Sequence, residues 1–181
     1  MRIVAGSAKG TRLAPVPAGT RPMSDRAREG LFSSLGDLVE GARVLDLFAG
    51  TGAIGLEALS RGAGSAVFVD AAPGAIKAIG ENLSRTRLSK LGRVRRLDAL
   101  RAVRERPGPF DLVFLDPPYR LEQPVLEELL REVAGQGVVE PGGTVVLSRS
   151  TRTYMPVIPV NWLLERRLSY GDTLVFIYRI P

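Results

Sequence analysis

Asp116-Pro117-Pro118-Tyr119 is the string with the most chemical content in this 181-residue chain. It follows directly on Phe110-Asp111-Leu112-Val113-Phe114-Leu115, an apolar run that reads as a strand. Two successive prolines fix two φ angles and remove two N–H donors, which leaves carbonyl oxygens beside a carboxylate on a rigid loop. Such acceptors suit an exocyclic ring amine, guanine N2 or adenine N6, whose lone pair is delocalised into the ring. By binding its hydrogens, the Asp116 side chain and the Pro117 carbonyl favour a pyramidal nitrogen with its lone pair aimed at a methyl group. Tyr119 can stack on an extruded base and hold it in line. D-P-P also makes ordinary loops, so its position at a strand end carries the argument.

A second constellation lies upstream. Gly50-Thr51-Gly52-Ala53-Ile54-Gly55 matches G-x-G-x-x-G after the strand-like Arg43-Val44-Leu45-Asp46-Leu47-Phe48. Glycine lets the backbone turn tightly and approach a ligand. Asp70 closes the next strand about twenty residues on, where a carboxylate can accept both ribose hydroxyls. NAD and S-adenosylmethionine both fit this pattern. Asp46 begins to separate them: it would repel a dinucleotide pyrophosphate and welcome a sulfonium cofactor that carries an ammonium group. Asp98, after the third strand, is placed to accept from an adenine amino group, and it also suits a helix N-cap.

Absences narrow the chemistry further. There is no Cys and no His, which excludes thiolate nucleophiles, His bases, Ser-His-Asp triads and His- or Cys-ligated zinc. Methylation at a pyrimidine C5 proceeds through a thiolate adduct and is excluded with them, whereas exocyclic nitrogen remains open. No metal site is expected. Twenty-five basic residues against nineteen acidic ones give +6, a balance that suits a nucleic-acid partner. No apolar run approaches ~20 residues and no signal peptide is evident, so the cytoplasm is the expected compartment.

The elements that must position these residues alternate from residue 42 onward. Strands are expected at 43–48, 65–70, 94–97, 110–115 and 144–147, with helices at 53–61, from Pro73 to about 85, and at 125–133. This alternation implies an α/β fold, a parallel sheet with helices on both faces. Runs 162–170 and 173–178, joined across Gly171-Asp172, read as a closing antiparallel hairpin. Residues 1–40 form an N-terminal extension, with a short strand over 3–9 and a helix capped by Ser24 whose stripe is Ala27, Leu31, Phe32, Leu35 and Leu38. Residues 41–181 form the core of what is expected to be one domain.

Together these residues resemble class I S-adenosylmethionine-dependent methyltransferases that act on amino groups. The similarity is greatest to the RsmD-like family, which methylates guanine N2 in bacterial 16S ribosomal RNA. Arg2-Ile3-Val4-Ala5-Gly6, Lys9-Gly10, Arg21-Pro22, Asp25-Arg26, Arg28-Glu29 and Leu31-Phe32 carry the discriminating part. The segment 44–52 and the D-P-P-Y string complete it. The resemblance implies a Rossmann-like, seven-stranded, mostly parallel sheet whose last strand is antiparallel. It implies a catalytic role for Asp116, Pro117, Pro118 and Tyr119. It also implies S-adenosylmethionine held by Asp46, Phe48, Ala49, Gly50, Thr51, Gly52, Asp70, Asp98, Ala99 and Asp116. The partner it implies is 16S rRNA in an assembling or assembled small subunit; nothing in the sequence itself suggests an obligate dimer, so a monomer is expected. Asp70 stands where Glu is commoner in the family, Met23 where a small hydroxylic residue is expected, and Gly30 where Ala would favour the helix.

Arg21, Arg26 and Arg28 crowd the start of the first helix, awkward against its dipole unless an anion neutralises them. With Arg149, beyond the fifth strand, they are the expected RNA contacts. Ten basic residues between Lys77 and Arg106 could track phosphates or could simply be solvated. Competing readings are N6-adenine methylation of DNA or RNA, methylation of a protein glutamine amide, an NAD-dependent oxidoreductase, and a catalytically silent RNA-binding module.

Overall fold

A computed structural model describes residues 1–15, 22–135 and 137–181. Seven strands form one sheet in the order β3-β2-β1-β4-β5-β7-β6. They are β1 (Arg43–Leu47), β2 (Ser65–Asp70), β3 (Gly92–Arg96), β4 (Phe110–Leu115), β5 (Val139–Ser150), β6 (Leu163–Tyr170) and β7 (Thr173–Arg179). The pairs from β3 through β5 are parallel, and β7 runs antiparallel to both its neighbours. Among the described residues the α-helices are α1 (Asp25–Leu35), α2 (Ala53–Ser60), α3 (Pro73–Thr86), α4 (Ala99–Arg104) and α5 (Gln123–Val133), with a short 3-10 helix over Gly36–Val39.

Strand period explains the two cores. In β4, Leu112 and Phe114 face one side with Phe32 and Leu56, while Val113 and Leu115 face the other with Leu126 and Leu130. In β5, Val146 takes the first side, and Val145 and Leu147 the second. Burial on both faces is what a central parallel strand requires, hence the unbroken apolar runs. The strand order reverses between β1 and β4. In open α/β sheets that switch point, at the carboxyl ends, is where ligands bind. Register brings those ends level: Leu47 lies opposite both Val69 and Leu115, and Leu115 lies opposite Leu147.

The N-terminal extension departs from the expectation. Residues 3–9 are not a strand; Arg2 and Arg12 form an isolated bridge, and Gly6 and Gly10 take positive φ. The segment is instead strapped to α2, with Val4 and Ala5 donating to Glu57 and Ala8 to Ser60. Gly6 is required, because a Cβ there would sit 1.7 Å from the Ser60 carbonyl oxygen. Helix α1 begins as read, with the Ser24 hydroxyl accepting from Ala27 N–H, but Gly36 at φ 52 ends it before Leu38, which is left exposed. Gly30 has its reason in packing. A Cβ there would lie 1.7 Å from the Tyr170 hydroxyl, so the side chain of the last residue of β6 occupies the space an Ala would need.

Candidate active site

The glycine turn is built from both sides. Phe48 at φ 60, Gly50 at φ 58 and Gly52 at φ 79 reverse the chain between β1 and α2. A Cβ on Gly50 would meet nothing within 4 Å, so this stretch of backbone is open to a ligand. Gly55 is tight for a different reason: a Cβ would stand 2.4 Å from the Phe68 ring. Thr51 is buried and Ala49 donates to the Val69 carbonyl, which ties the turn to β2. Asn82, buried on α3, donates to the Thr51 carbonyl at 2.8 Å and accepts from Ala14 N–H at 2.7 Å. That clamp went unseen in the sequence.

Asp46 sits at the centre. Its Oδ2 accepts from Gly55 N–H at 2.9 Å, while its buried Oδ1 has no hydrogen-bond partner among the described residues. Burial, and then the neighbouring Asp116 and Asp70 carboxylates, outweigh the Gly55 bond and push its carboxyl up to about 7. Asp70 accepts from Gly50 N–H through Oδ2 and from Ala72 N–H through Oδ1, both at 2.9 Å. Each oxygen of a carboxylate has further acceptor capacity, so a ribose diol can still be held. Asp98 is exposed and caps α4 by accepting from Arg101 N–H at 3.1 Å, which places buried Ala99 at the first helical position.

Asp116 leaves β4 opposite the carboxyl end of β5, where the Ser148 hydroxyl donates to its Oδ1. Burial raises its carboxyl, against the Ser148 bond and the charge of Arg149. Pro117 is buried, and Pro118 and Tyr119 are exposed, Tyr119 to 46%. The Pro118 carbonyl accepts from Leu121 N–H at 3.0 Å and closes the turn. Three carboxylates therefore converge on one corner. Such a corner repels a pyrophosphate and attracts a cation, and the unpartnered Asp46 oxygen fits an ammonium group.

The basic residues separate. Arg26 is exposed and lines a cleft of about 270 Å³ with Arg2, Lys9, Asp25 and Glu29. Arg21 lies outside the described residues. Arg28 is a correction: it is fully buried, paired with Glu57 at 3.4 Å and Asp25 at 3.0 Å, and it donates to the Arg2 carbonyl. Protein carboxylates, not an anionic ligand, neutralise it. Arg149 is likewise 2% exposed, so it cannot meet a phosphate at the surface. In the stretch from Lys77 to Arg106, Arg95, Arg101, Arg104 and Arg106 are engaged by Glu105, Glu128 and Glu132. Lys77, Arg85, Arg87, Lys90, Arg93 and Arg96 remain exposed.

The sheet order and the corner at its switch point define the class: this is the Rossmann-like methyltransferase fold. A solved structure of yhhF from Escherichia coli superposes with TM-score 0.88 at 33% identity, over 99% of this chain and 97% of that one. Over residues 1–179 the chain belongs to the family described as Conserved hypothetical protein 95, the RsmD family of methyltransferases. The chain is similar to Ribosomal RNA small subunit methyltransferase D of Escherichia coli, with 33% identity over 181 residues, 99% of this chain and 89% of that protein. YlbH of Bacillus subtilis is 37% identical over 183 residues, covering 99% and 98%.

Proposed function

We propose that this protein uses S-adenosylmethionine to methylate the exocyclic N2 of a guanine in bacterial 16S ribosomal RNA. One observation carries the reading. The rigid D-P-P-Y corner and the unpartnered Asp46 oxygen meet at the switch point of a chain that is related over its full length to a small-subunit rRNA methyltransferase.

When bound, the cofactor supplies a methyl group on a positively charged sulfur. Asp46 would hold its ammonium group through the oxygen that lacks a donor, and Phe48, Ala49, Gly50, Thr51 and Gly52 would pass along it. Asp70 would take the ribose hydroxyls; Asp98 and Ala99 would meet the adenine. Asp116 and the Pro117 carbonyl accept the hydrogens of the target amine, which turns the nitrogen lone pair outward. Of the two proline carbonyls, that of Pro118 is already used by Leu121. Tyr119, exposed on the loop, would stack on an extruded base. Arg26 and the exposed cations of α3 and β3 would lie against phosphates. We read residues 1–181 as one catalytic domain that works as a monomer in the cytoplasm. Among the described residues no helix is long and apolar enough to cross a membrane.

Label transfer to naked 16S rRNA, small subunits and intact ribosomes from cells lacking the enzyme tests this, with the product digested to nucleosides. N2-methylguanosine is expected, and Asp116→Ala should abolish transfer while adenosylhomocysteine still binds. N6-methyladenosine, or an unaffected Asp116→Ala rate, would overturn the assignment.

A further inference from the structure

We propose that Ser148 is a positioning residue: its hydroxyl takes one oxygen of the Asp116 carboxylate and so presents the other, together with the Pro117 carbonyl, as the pair of acceptors an NH2 group needs. The inference rests on the reading of Asp116 as an amine acceptor given above. It gives a purpose to a buried hydroxyl in an otherwise apolar stretch of sheet.

Register places the two side by side. Phe114 pairs with Val146 and Leu115 with Leu147, so the following residues, Asp116 and Ser148, come level where β4 ends and β5 runs on. Side chains two residues apart share a face, which puts Ser148 beside Val146 and Asp116 beside Phe114, on the side of the sheet that packs against Phe32. On its other flank Ser148 pairs with Val175 of β7, which is fully buried. Ser148 itself is 3% exposed, and among the described residues its hydroxyl makes one hydrogen bond, donated to Asp116 Oδ1. An Ala or a Val would pack against these apolar neighbours without the cost of burying a hydroxyl. The contact with Asp116 is what the hydroxyl adds.

That contact divides the available acceptors. A carboxylate has two acceptor oxygens and turns about its last side-chain bond, so an unrestrained Asp116 could aim either oxygen at an incoming amine. Ser148 holds Oδ1. Asp116 is half-buried, and its Oδ2 accepts from no donor among the described residues. The loop treats its carbonyls in the same way: Leu121 N–H occupies that of Pro118, whereas no donor among the described residues takes that of Pro117. Two open acceptors therefore remain for the two hydrogens of an NH2 group, one fixed by the Ser148 bond and one by the proline rings. Ser148 is also neutral. An arginine in its place could engage both oxygens and would cancel the charge that attracts the amine hydrogens. Orientation matters here because the nitrogen lone pair must lie in line with the methyl carbon, and a misplacement of about 1 Å can cost about 100-fold.

The test replaces Ser148 with Ala, Thr and Val in the full chain. Thr and Val are close in volume and differ in the hydroxyl, so a packing effect moves both alike and a hydrogen bond separates them. Single-turnover transfer at saturating RNA and S-adenosylmethionine should be about 10- to 100-fold slower in Ser148→Ala and Ser148→Val, the range that a hydrogen bond to a charged group spans. Ser148→Thr should recover most of the rate. The RNA concentration at half-maximal rate and the affinity for adenosylhomocysteine should be unchanged in all three, which separates positioning from a fault in either binding site. Crystals of the Ala and Val variants should show the Asp116 carboxylate turned from its wild-type orientation, and crystals of the Thr variant should not. Equal rates in Thr and Val, a wild-type rate in Ala, a loss confined to half-saturation, or an unmoved carboxylate in Ala would overturn the proposal. If Thr and Val do not fold, the rate and the carboxylate of Ser148→Ala decide it. Should the product be N6-methyladenosine, the same split between Thr and Val would uphold this inference and remove the guanine assignment.

Discussion

Asp46→Asn should make the unliganded protein more stable in alkaline buffer while it weakens the cofactor. Asp46 is 1% exposed, and its carboxyl is held near 7, against about 4 in an unfolded chain. A carboxyl raised on folding contributes stability that is complete below its unfolded pKa. That contribution is lost as pH climbs through the interval to the folded pKa, and is flat above it. Each pH unit inside the interval is worth about 1.4 kcal/mol. Asn does not titrate and keeps the acceptor for Gly55 N–H, although its amide takes the place of the unpartnered Oδ1. Whatever constant offset that amide adds, the difference between variant and wild type should grow in the variant's favour by about 2 kcal/mol from about pH 5.5 to about pH 8.5. Growth should stop near pH 7. Urea unfolding at stepped pH measures it. Calorimetric titration with adenosylhomocysteine should show about 10- to 100-fold weaker binding, since a hydrogen bond to a charged group contributes about 1.5–3 kcal/mol. A stability difference independent of pH, or one that shrinks as pH rises, would refute the buried-carboxylate argument.

Two further predictions concern the N-terminal extension. Glu57→Ala strands the fully buried Arg28 and the amides of Val4 and Ala5, so a loss of about 3–5 kcal/mol is expected in urea unfolding, with proteolysis advancing into residues 1–13. Gly30→Ala should destabilise by about 1–3 kcal/mol through overpacking against Tyr170. Tyr170→Leu in the same chain should recover part of it, and calorimetric melting of the single and double variants reads the coupling.

Much of the scaffold was legible because the central parallel strands, β1 and β4, are apolar on both faces. β2 and β4 have the boundaries read from the sequence, and β1 differs only where Phe48 turns to positive φ. The glycine turn, Asp70 and D-P-P-Y could be placed because strand ends in such a sheet share one rim. The misplacements share a physical cause: single polar residues whose burial is decided by packing that sequence pattern does not show. Arg28 and Arg149 read as surface cations because arginine usually is one, and only tertiary contacts bury them. Glu57 and Asn82 clamp segments more than fifty residues away. Glu57 carried a signal, an ionisable residue in the otherwise non-ionisable helix 53–60, every position of which is buried. Helix α4 is only six residues long and was anticipated through its cap alone.

The order in which the strands are joined has a consequence for biosynthesis. β6 pairs with β7, and β7 lies between it and β5, so β6 has no place in the sheet until β7 exists. Tyr170, which fills the notch at Gly30, is therefore delivered late, and the first helix must wait for the final hairpin to complete its seat. A nascent chain that still lacks β7 would leave α1 partly unpacked. Protease protection of that helix should be complete only in chains long enough to include β7.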